Sequence, residues 1–196
     1  MSELKNIKYL AKGKRGVVYT AKYKNKKVAV KTKNPESNAV GRIKNEAQTL
    51  KLLNKHNIGP KLLKFGANSI VYNFVEGDFI LDFIEKNSKD RILKALKDVL
   101  NQLHIMDKLK INKEEMHHPL KHIIVNKKNR AVLIDFERAY KTEKPHNATQ
   151  FCQFLININK MLSKKGITIK KDEMIKLAKK YKKEYNIKPV LKYIAQ

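Results

Sequence analysis

The stretch that decides the fold is Tyr9–Thr32, YLAKGKRGVVYTAKYKNKKVAVKT. Gly13 and Gly16 sit between two alternating segments, and a third alternating segment ends in Val28-Ala29-Val30-Lys31. Alternation with period two marks a half-buried strand. A glycine turn between strands lets backbone N–H groups approach an anion closely. A lysine on the following strand reaches the same anion as a point charge. Together they point to a clamp for nucleotide phosphates. The turn runs into a strand, Val17–Lys22. The G-x-x-x-x-G-K-[ST] phosphate loop and the dinucleotide-binding G-x-G-x-x-G turn both run into a helix and are excluded. A plain hairpin turn accommodates the glycines equally well.

Outward from this stretch, Ile7–Lys12, Val17–Lys22 and Lys26–Lys33 read as three consecutive strands, with Asn25 in a hairpin turn. Pro35-Glu36-Ser37-Asn38 breaks the pattern and is expected to cap a helix over Ala39–Lys55, whose Ile43, Ala47, Leu50 and Leu53 share a face. Gly59-Pro60 stops it. Lys61–Phe65 and Ser69–Tyr72 read as two more strands, and Asn73–Gly77 as a connector. Helices then dominate: Asp78–Lys86, the amphipathic Asp90–Lys110, about Ala148–Lys164, Lys171–Tyr185 and a short one at Pro189–Ile194. Between them lie a polar loop, Asn112–His122, and two short strands, Ile123–Val125 and Ala131–Ile134, the second running into Asp135.

The formal net charge is +26 at a sequence pI of about 10.0. This predicts attraction to RNA, a ribonucleoprotein or another polyanion. Only five of the 44 basic residues are arginine, the side chain that forks onto phosphates, and the lysines are spread along the chain. That pattern fits a solvated surface as well. No stretch has the roughly 20 apolar residues of a membrane span, and Met1–Asn6 lacks the apolar core of a signal peptide, so the expectation is a cytoplasmic protein without membrane contact. Cys152 is the single cysteine, which excludes an intrachain disulfide and a cysteine zinc site and leaves a small buried hydrophobe.

Four groups follow in order: the glycine hairpin, Lys31, Glu46 on the next helix, and Asp135 after a short hairpin. This order resembles the protein-kinase family. Ala11–Val18 resembles the G-x-G-x-x-G-x-V loop with Ala11 at the first glycine, Val28–Lys31 resembles V-A-I-K, and Leu133–Phe136 resembles the strand and first two residues of D-F-G. The resemblance covers about Ile7 to Tyr140. No A-P-E follows Asp135. The chain is therefore similar to the minimal kinases: the RIO group, the small kinase of the KEOPS tRNA-modification complex and, most of all, predicted archaeal Ser/Thr protein kinases. The resemblance implies an α+β, two-lobed protein-kinase-like fold. A five-stranded antiparallel N-lobe with one helix would span 1–76, and a small, mainly helical C-lobe 77–196. It implies ATP and Mg²⁺ as ligands, a protein substrate, and transfer of the γ-phosphate to a Ser or Thr hydroxyl. Gly13 and Gly16 would cover the phosphates. Val18 and Ala29 would contact adenine. Lys31, held by Glu46, would bind phosphate, and Asp135 would ligate Mg²⁺. Asp135-Phe136-Glu137-Arg138-Ala139 also echoes small-molecule phosphotransferases.

The catalytic loop departs from the kinase pattern H-x-D-x-x-x-x-N. Counted back from the strand, His117 stands at the aspartate position and His122 at the metal-binding asparagine position; aligned instead on His117-His118 as the His-Arg pair, Pro119 takes the aspartate position, and neither register holds an aspartate. Three readings stay open: His117 as general base, Glu114 or Glu115 in that role, or a nucleotide-binding pseudokinase serving as a basic scaffold. Pro119 argues against a helical zinc site built from His117, His118 and His122.

Overall fold

The computed structural model describes residues 3–196; Met1 and Ser2 of the polar start noted above lie outside the described residues. The chain divides into two compact units. One runs through Val75 and adds Ile134–Ala139; the other comprises Glu76–Leu133 and Tyr140–Gln196.

In the first unit β1 (Leu4–Lys12), β2 (Gly16–Tyr23) and β3 (Lys26–Lys33) form an antiparallel meander. Lys24 and Asn25, both at positive φ (48° and 58°), turn β2 into β3. Two left-handed residues give the turn whose twist matches its strands, and asparagine tolerates that conformation. After α1 (Arg42–Leu53) come β4 (Leu62–Phe65) and β5 (Ser69–Asn73). The sheet order is β1-β2-β3-β5-β4, all antiparallel.

The helix α1 packs on β3, β4 and β5 and buries Ile43, Ala47, Leu50 and Leu53, the predicted face. It starts at Arg42 rather than Ala39, and Pro35–Asn38 do not cap it. The Ser37 hydroxyl accepts the Ala39 N–H (3.2 Å) and Asn34 Oδ1 accepts the Glu36 N–H (3.2 Å), so these residues close local turns. Gly41, left-handed at φ 73°, is the residue from which the helix departs.

The pleat separates two faces. Register puts Val18 and Ile70 opposite Lys31, and Tyr72 opposite Ala29, all on one face. The other face carries a core of Ala21, Val28, Val30 and Val71, flanked by Leu4, Tyr19, Tyr23 and Leu63.

The second unit contains β6 (Asp78–Phe79), α2 (Ile80–Lys86), α3 (Lys89–Lys108), β7 (Ile111–Asn112), β8 (Ile123–Val125), β9 (Ala131–Leu133) and β10 (Tyr140–Lys141). Four helices follow: α4 (Asn147–Asn157), α5 (Asn159–Ser163), α6 (Lys171–Glu184) and α7 (Lys188–Tyr193). Asp78 and Phe79, expected to open a helix, pair with β8 instead. Gly77 permits this approach, because a Cβ there would come within 2.2 Å of the Val125 carbonyl oxygen. The helix expected over Ala148–Lys164 breaks at Ile158 (φ −95°, ψ 11°) into α4 and α5. The two-residue ribbon of β7 and β10 was too short to leave a periodic signal.

The long α3 buries Ile92, Leu93, Leu96, Val99, Leu100, Leu103 and Met106 as its periodicity predicts. It also buries Asp107. That carboxylate accepts the N–H groups of Asn147 (3.0 Å) and Ala148 (3.2 Å), the Asn147 amide (2.7 Å) and the Tyr181 hydroxyl (2.8 Å). A residue of α3 thus caps α4 and ties both to α6. Cys152 is buried, and burial pushes its thiol up to about 12. Among the described residues no helix is long and apolar enough to cross a membrane.

Candidate functional site

Every charge of the candidate site belongs to the first unit. The Lys31 side chain is only 8% exposed, so its ammonium needs partners in place of water. It has three. Nζ donates to Glu46 Oε2 at 2.7 Å and to Asp135 Oδ1 at 2.8 Å, and it stands 3.1 Å from Glu137 Oε2.

Each partner is placed by its local structure. Glu46 lies on α1 between the buried Ile43 and Ala47, so the helix face that builds the core also turns this carboxylate inward. Its second oxygen, Oε1, accepts the Phe136 N–H at 3.3 Å. Asp135 is left-handed (φ 63°), a conformation aspartate tolerates better than most side chains. Phe136 beside it is fully buried. Asn45 of α1 donates to the carbonyls of Glu137 (3.0 Å) and Ala139 (2.9 Å), and Arg42 reaches the same Glu137 carbonyl at 3.5 Å. The segment carrying Asp135 is thereby stitched to the helix carrying Glu46.

Burial alone would lower the Lys31 pKa. The charges of Glu46, Asp135 and Glu137 and the hydrogen bond to Asp135 overcome it and hold the ammonium above its ordinary value. Burial pushes the Glu46 carboxyl up; Lys31 pulls against it and Asp135 adds to it. Burial, and then Glu46, likewise raise the hydroxyl of Tyr72. Lys31 stands among three carboxylates, and Arg15 lies 3.5 Å from one of them, Glu137. One oxygen each of Glu46, Asp135 and Glu137 lies within 4.8 Å of the others, a hard donor set that suits a divalent cation such as Mg²⁺.

The glycine hairpin is built against Lys31. A Cβ on Gly16 would lie 2.9 Å from Lys31 Cε and 3.2 Å from the Thr32 oxygen, so only glycine leaves room for the lysine stem. Gly13 meets no such obstacle, and its N–H is taken by the Gly16 carbonyl at 2.8 Å. Buried Asn34 at the end of β3 pins the hairpin. Its amide donates to the carbonyls of Gly13 and Lys14 (3.3 Å each), and its N–H donates to the Arg15 carbonyl (2.9 Å). Val18 and Ala29 share the sheet face of Lys31.

His117 and His122 belong to the second unit, in the loop between β7 and β8. His117 is exposed, and His122 Nε2 stands 3.7 Å from Glu115 Oε2. Among the described residues the three loop histidines do not assemble into a metal-binding group.

Sequence reasoning overlooked Glu137, Asn45, Asn34 and Tyr72 as parts of this site. Glu137 had a signal, since an acid stands where D-F-G has glycine. The other three are ordinary polar residues whose roles exist only through distant partners.

The RIO domain model matches residues 5–175. A 115-residue stretch is 30% identical to an uncharacterized protein of Methanocaldococcus jannaschii, MJ1211, and covers 56% of this chain and 97% of that protein. RIO domains are a protein-kinase-like, ATP-binding family. With the five-stranded sheet and the Lys31, Glu46 and Asp135 cluster in place, the chain belongs to the RIO domain family.

Proposed function

We propose that this protein is an ATP-dependent kinase of minimal type that transfers the γ-phosphate to a Ser or Thr hydroxyl of a protein. What supports the reading is one arrangement: Lys31 between Glu46 (2.7 Å) and Asp135 (2.8 Å), with Gly16 packed on its stem. Phosphoryl transfer is dominated by positioning and charge neutralisation, and these residues supply both. Lys31 binds the phosphates while Glu46 holds its ammonium in place. The hairpin Gly13–Gly16 covers them, and Val18 and Ala29 offer adenine an apolar surface. Asp135 would hold Mg²⁺, which would neutralise phosphate charge when bound. His117 takes the acceptor proton as general base. Residues 1–76 act as the nucleotide-binding lobe and 77–196 as the acceptor lobe, in a cytoplasmic protein.

Calorimetric titration of ATP with and without Mg²⁺, beside Asp135→Ala, tests the reading. Binding that Mg²⁺ strengthens in the wild type and not in the variant supports it. Binding indifferent to both overturns it.

A second reading rests on the missing catalytic aspartate and the +26 charge: a pseudokinase whose basic surface contacts RNA. RNA affinity falling steeply with salt and unaffected by ATP, with no phosphoryl transfer, would favour it.

A further inference from the structure

Two cations of the first unit converge on one side chain that the nucleotide reading does not need. Glu137 Oε2 lies 3.1 Å from Lys31 Nζ, and Glu137 Oε1 lies 3.5 Å from an Nη of Arg15. Arg15 sits between Gly13 and Gly16 at the tip of the hairpin; Lys31 sits on the strand beneath. Glu137 is 8% exposed, so its charge is met by these partners more than by water. Its position is imposed from behind, where Asn45 and Arg42 hold its carbonyl. A carboxylate shared between an ammonium and a guanidinium uses the same contacts by which those cations grip a phosphate.

We propose that Glu137 is an internal stand-in for the nucleotide phosphate, occupying Lys31 and Arg15 until a polyphosphate displaces it. The proposal rests on the nucleotide reading above and adds a competition to it. Glu46 is not the competitor: it is buried, it is closer to Lys31, and its other oxygen is bound to the Phe136 backbone. Glu137 holds Lys31 at the longer distance and faces both cations. A polyphosphate therefore takes the Glu137 contacts and leaves the Glu46 contact intact. The native carboxylate therefore weakens anion binding at the hairpin. Neutralising Glu137 without changing its shape frees both cations.

The test is calorimetric titration of inorganic tripolyphosphate, and separately of ATP, in the absence of divalent cations. The proteins are the wild type, Glu137→Gln, and Glu137→Gln combined with either Lys31→Met or Arg15→Ala, each checked for native circular dichroism. The expected result is about a tenfold gain in tripolyphosphate affinity for Glu137→Gln, as one charge-assisted contact is released. That gain should shrink on adding Arg15→Ala and vanish on adding Lys31→Met. Equal affinity in the wild type and Glu137→Gln overturns the proposal. So does a gain that survives both second substitutions, which would be a general effect of added positive charge. Should Lys31→Met fail to fold, Arg15→Ala, a surface change, decides alone. Failure of the nucleotide reading shows separately: ATP would then bind no better than tripolyphosphate in any of the proteins, while the Glu137→Gln gain persisted.

Discussion

Replacing Lys31 by methionine keeps most of the side-chain volume and removes the ammonium that lies against Glu46, Asp135 and Glu137. At the 2.7 Å separation of Lys31 and Glu46, an effective dielectric of ~20 gives an attraction of about 6 kcal/mol. Desolvation of the two ions cancels much of it. What the substitution leaves is the larger effect. Glu46 stays buried with Asp135 and Glu137 oxygens within 4.8 Å, so each like-charged pair costs at least about 3.5 kcal/mol on the same scale. Removing one partner of a buried pair typically destabilises by 3–5 kcal/mol, and that is the loss expected for Lys31→Met near neutral pH. Protonation of Glu46 caps it. Burial already raises this carboxyl, and without Lys31 it rises further. A carboxyl whose folded pKa exceeds its unfolded value near 4.3 contributes stability below that value and loses it as pH rises through the folded one. The variant is therefore closer to wild type at pH 5 than at pH 8. Adding Glu46→Gln to Lys31→Met should recover stability at pH 8, since the uncompensated charge is gone. Urea denaturation followed by far-ultraviolet circular dichroism at both pH values measures this. A Lys31→Met protein within 0.5 kcal/mol of wild type at pH 8, or a loss independent of pH, would refute the reasoning.

Gly16→Ala should destabilise by about 1–3 kcal/mol, because its Cβ meets the Lys31 stem and the Thr32 oxygen, whereas Gly13→Ala should stay within about 0.5 kcal/mol of wild type. Thermal melts of the pair decide it. Asn45→Ala removes two donors to the Glu137 and Ala139 carbonyls and should cost about 1–3 kcal/mol, with faster amide exchange over 135–139; unchanged exchange there would show that the stitching is not needed. His104, hydrogen-bonded to Tyr181 at 3.1 Å, has its pKa depressed by burial and by Lys108. Stability is therefore lost as pH falls below about 6.5 through the folded value, and His104→Gln should flatten the change in stability between pH 7 and pH 5. His117→Ala should leave ATP affinity unchanged within twofold while slowing transfer by about 10²–10⁴ if this side chain is the base; an unaffected rate would remove it from that role.

The sheet was legible because its signals are local. Alternation in Tyr9–Thr32 and the turn at Asn25 are properties of neighbouring residues, and Lys26–Lys33 forms a strand with the bounds its sequence predicts. The inward face of α1 was equally plain, since Ile43, Ala47, Leu50 and Leu53 recur at helical spacing. Errors fell where a distant partner overrides the local pattern. Asp78 and Phe79 follow β8, the start of α1 follows Gly41, and α4 takes its cap from Asp107.

The site divides along the same line. Lys31, Glu46 and Asp135 could be assembled from order alone, because each sits at a fixed place on its element and the elements come in a known succession. Glu137 could not. Its neighbour Asp135 turns the chain at φ 63°, and Asn45 fixes the backbone that follows. Only then does the Glu137 carboxylate come to lie between Lys31 and Arg15, residues 106 and 122 positions away. Nothing in the run Asp135–Ala139 signals that geometry. A glutamate after Asp-Phe reads from sequence as a loop acid bound for solvent. The fold makes it one of the few buried charges in the unit, and such a charge persists only where cations of the same site neutralise it. The two cations that do so are those a phosphate would use, so the carboxylate between them is placed to compete with one.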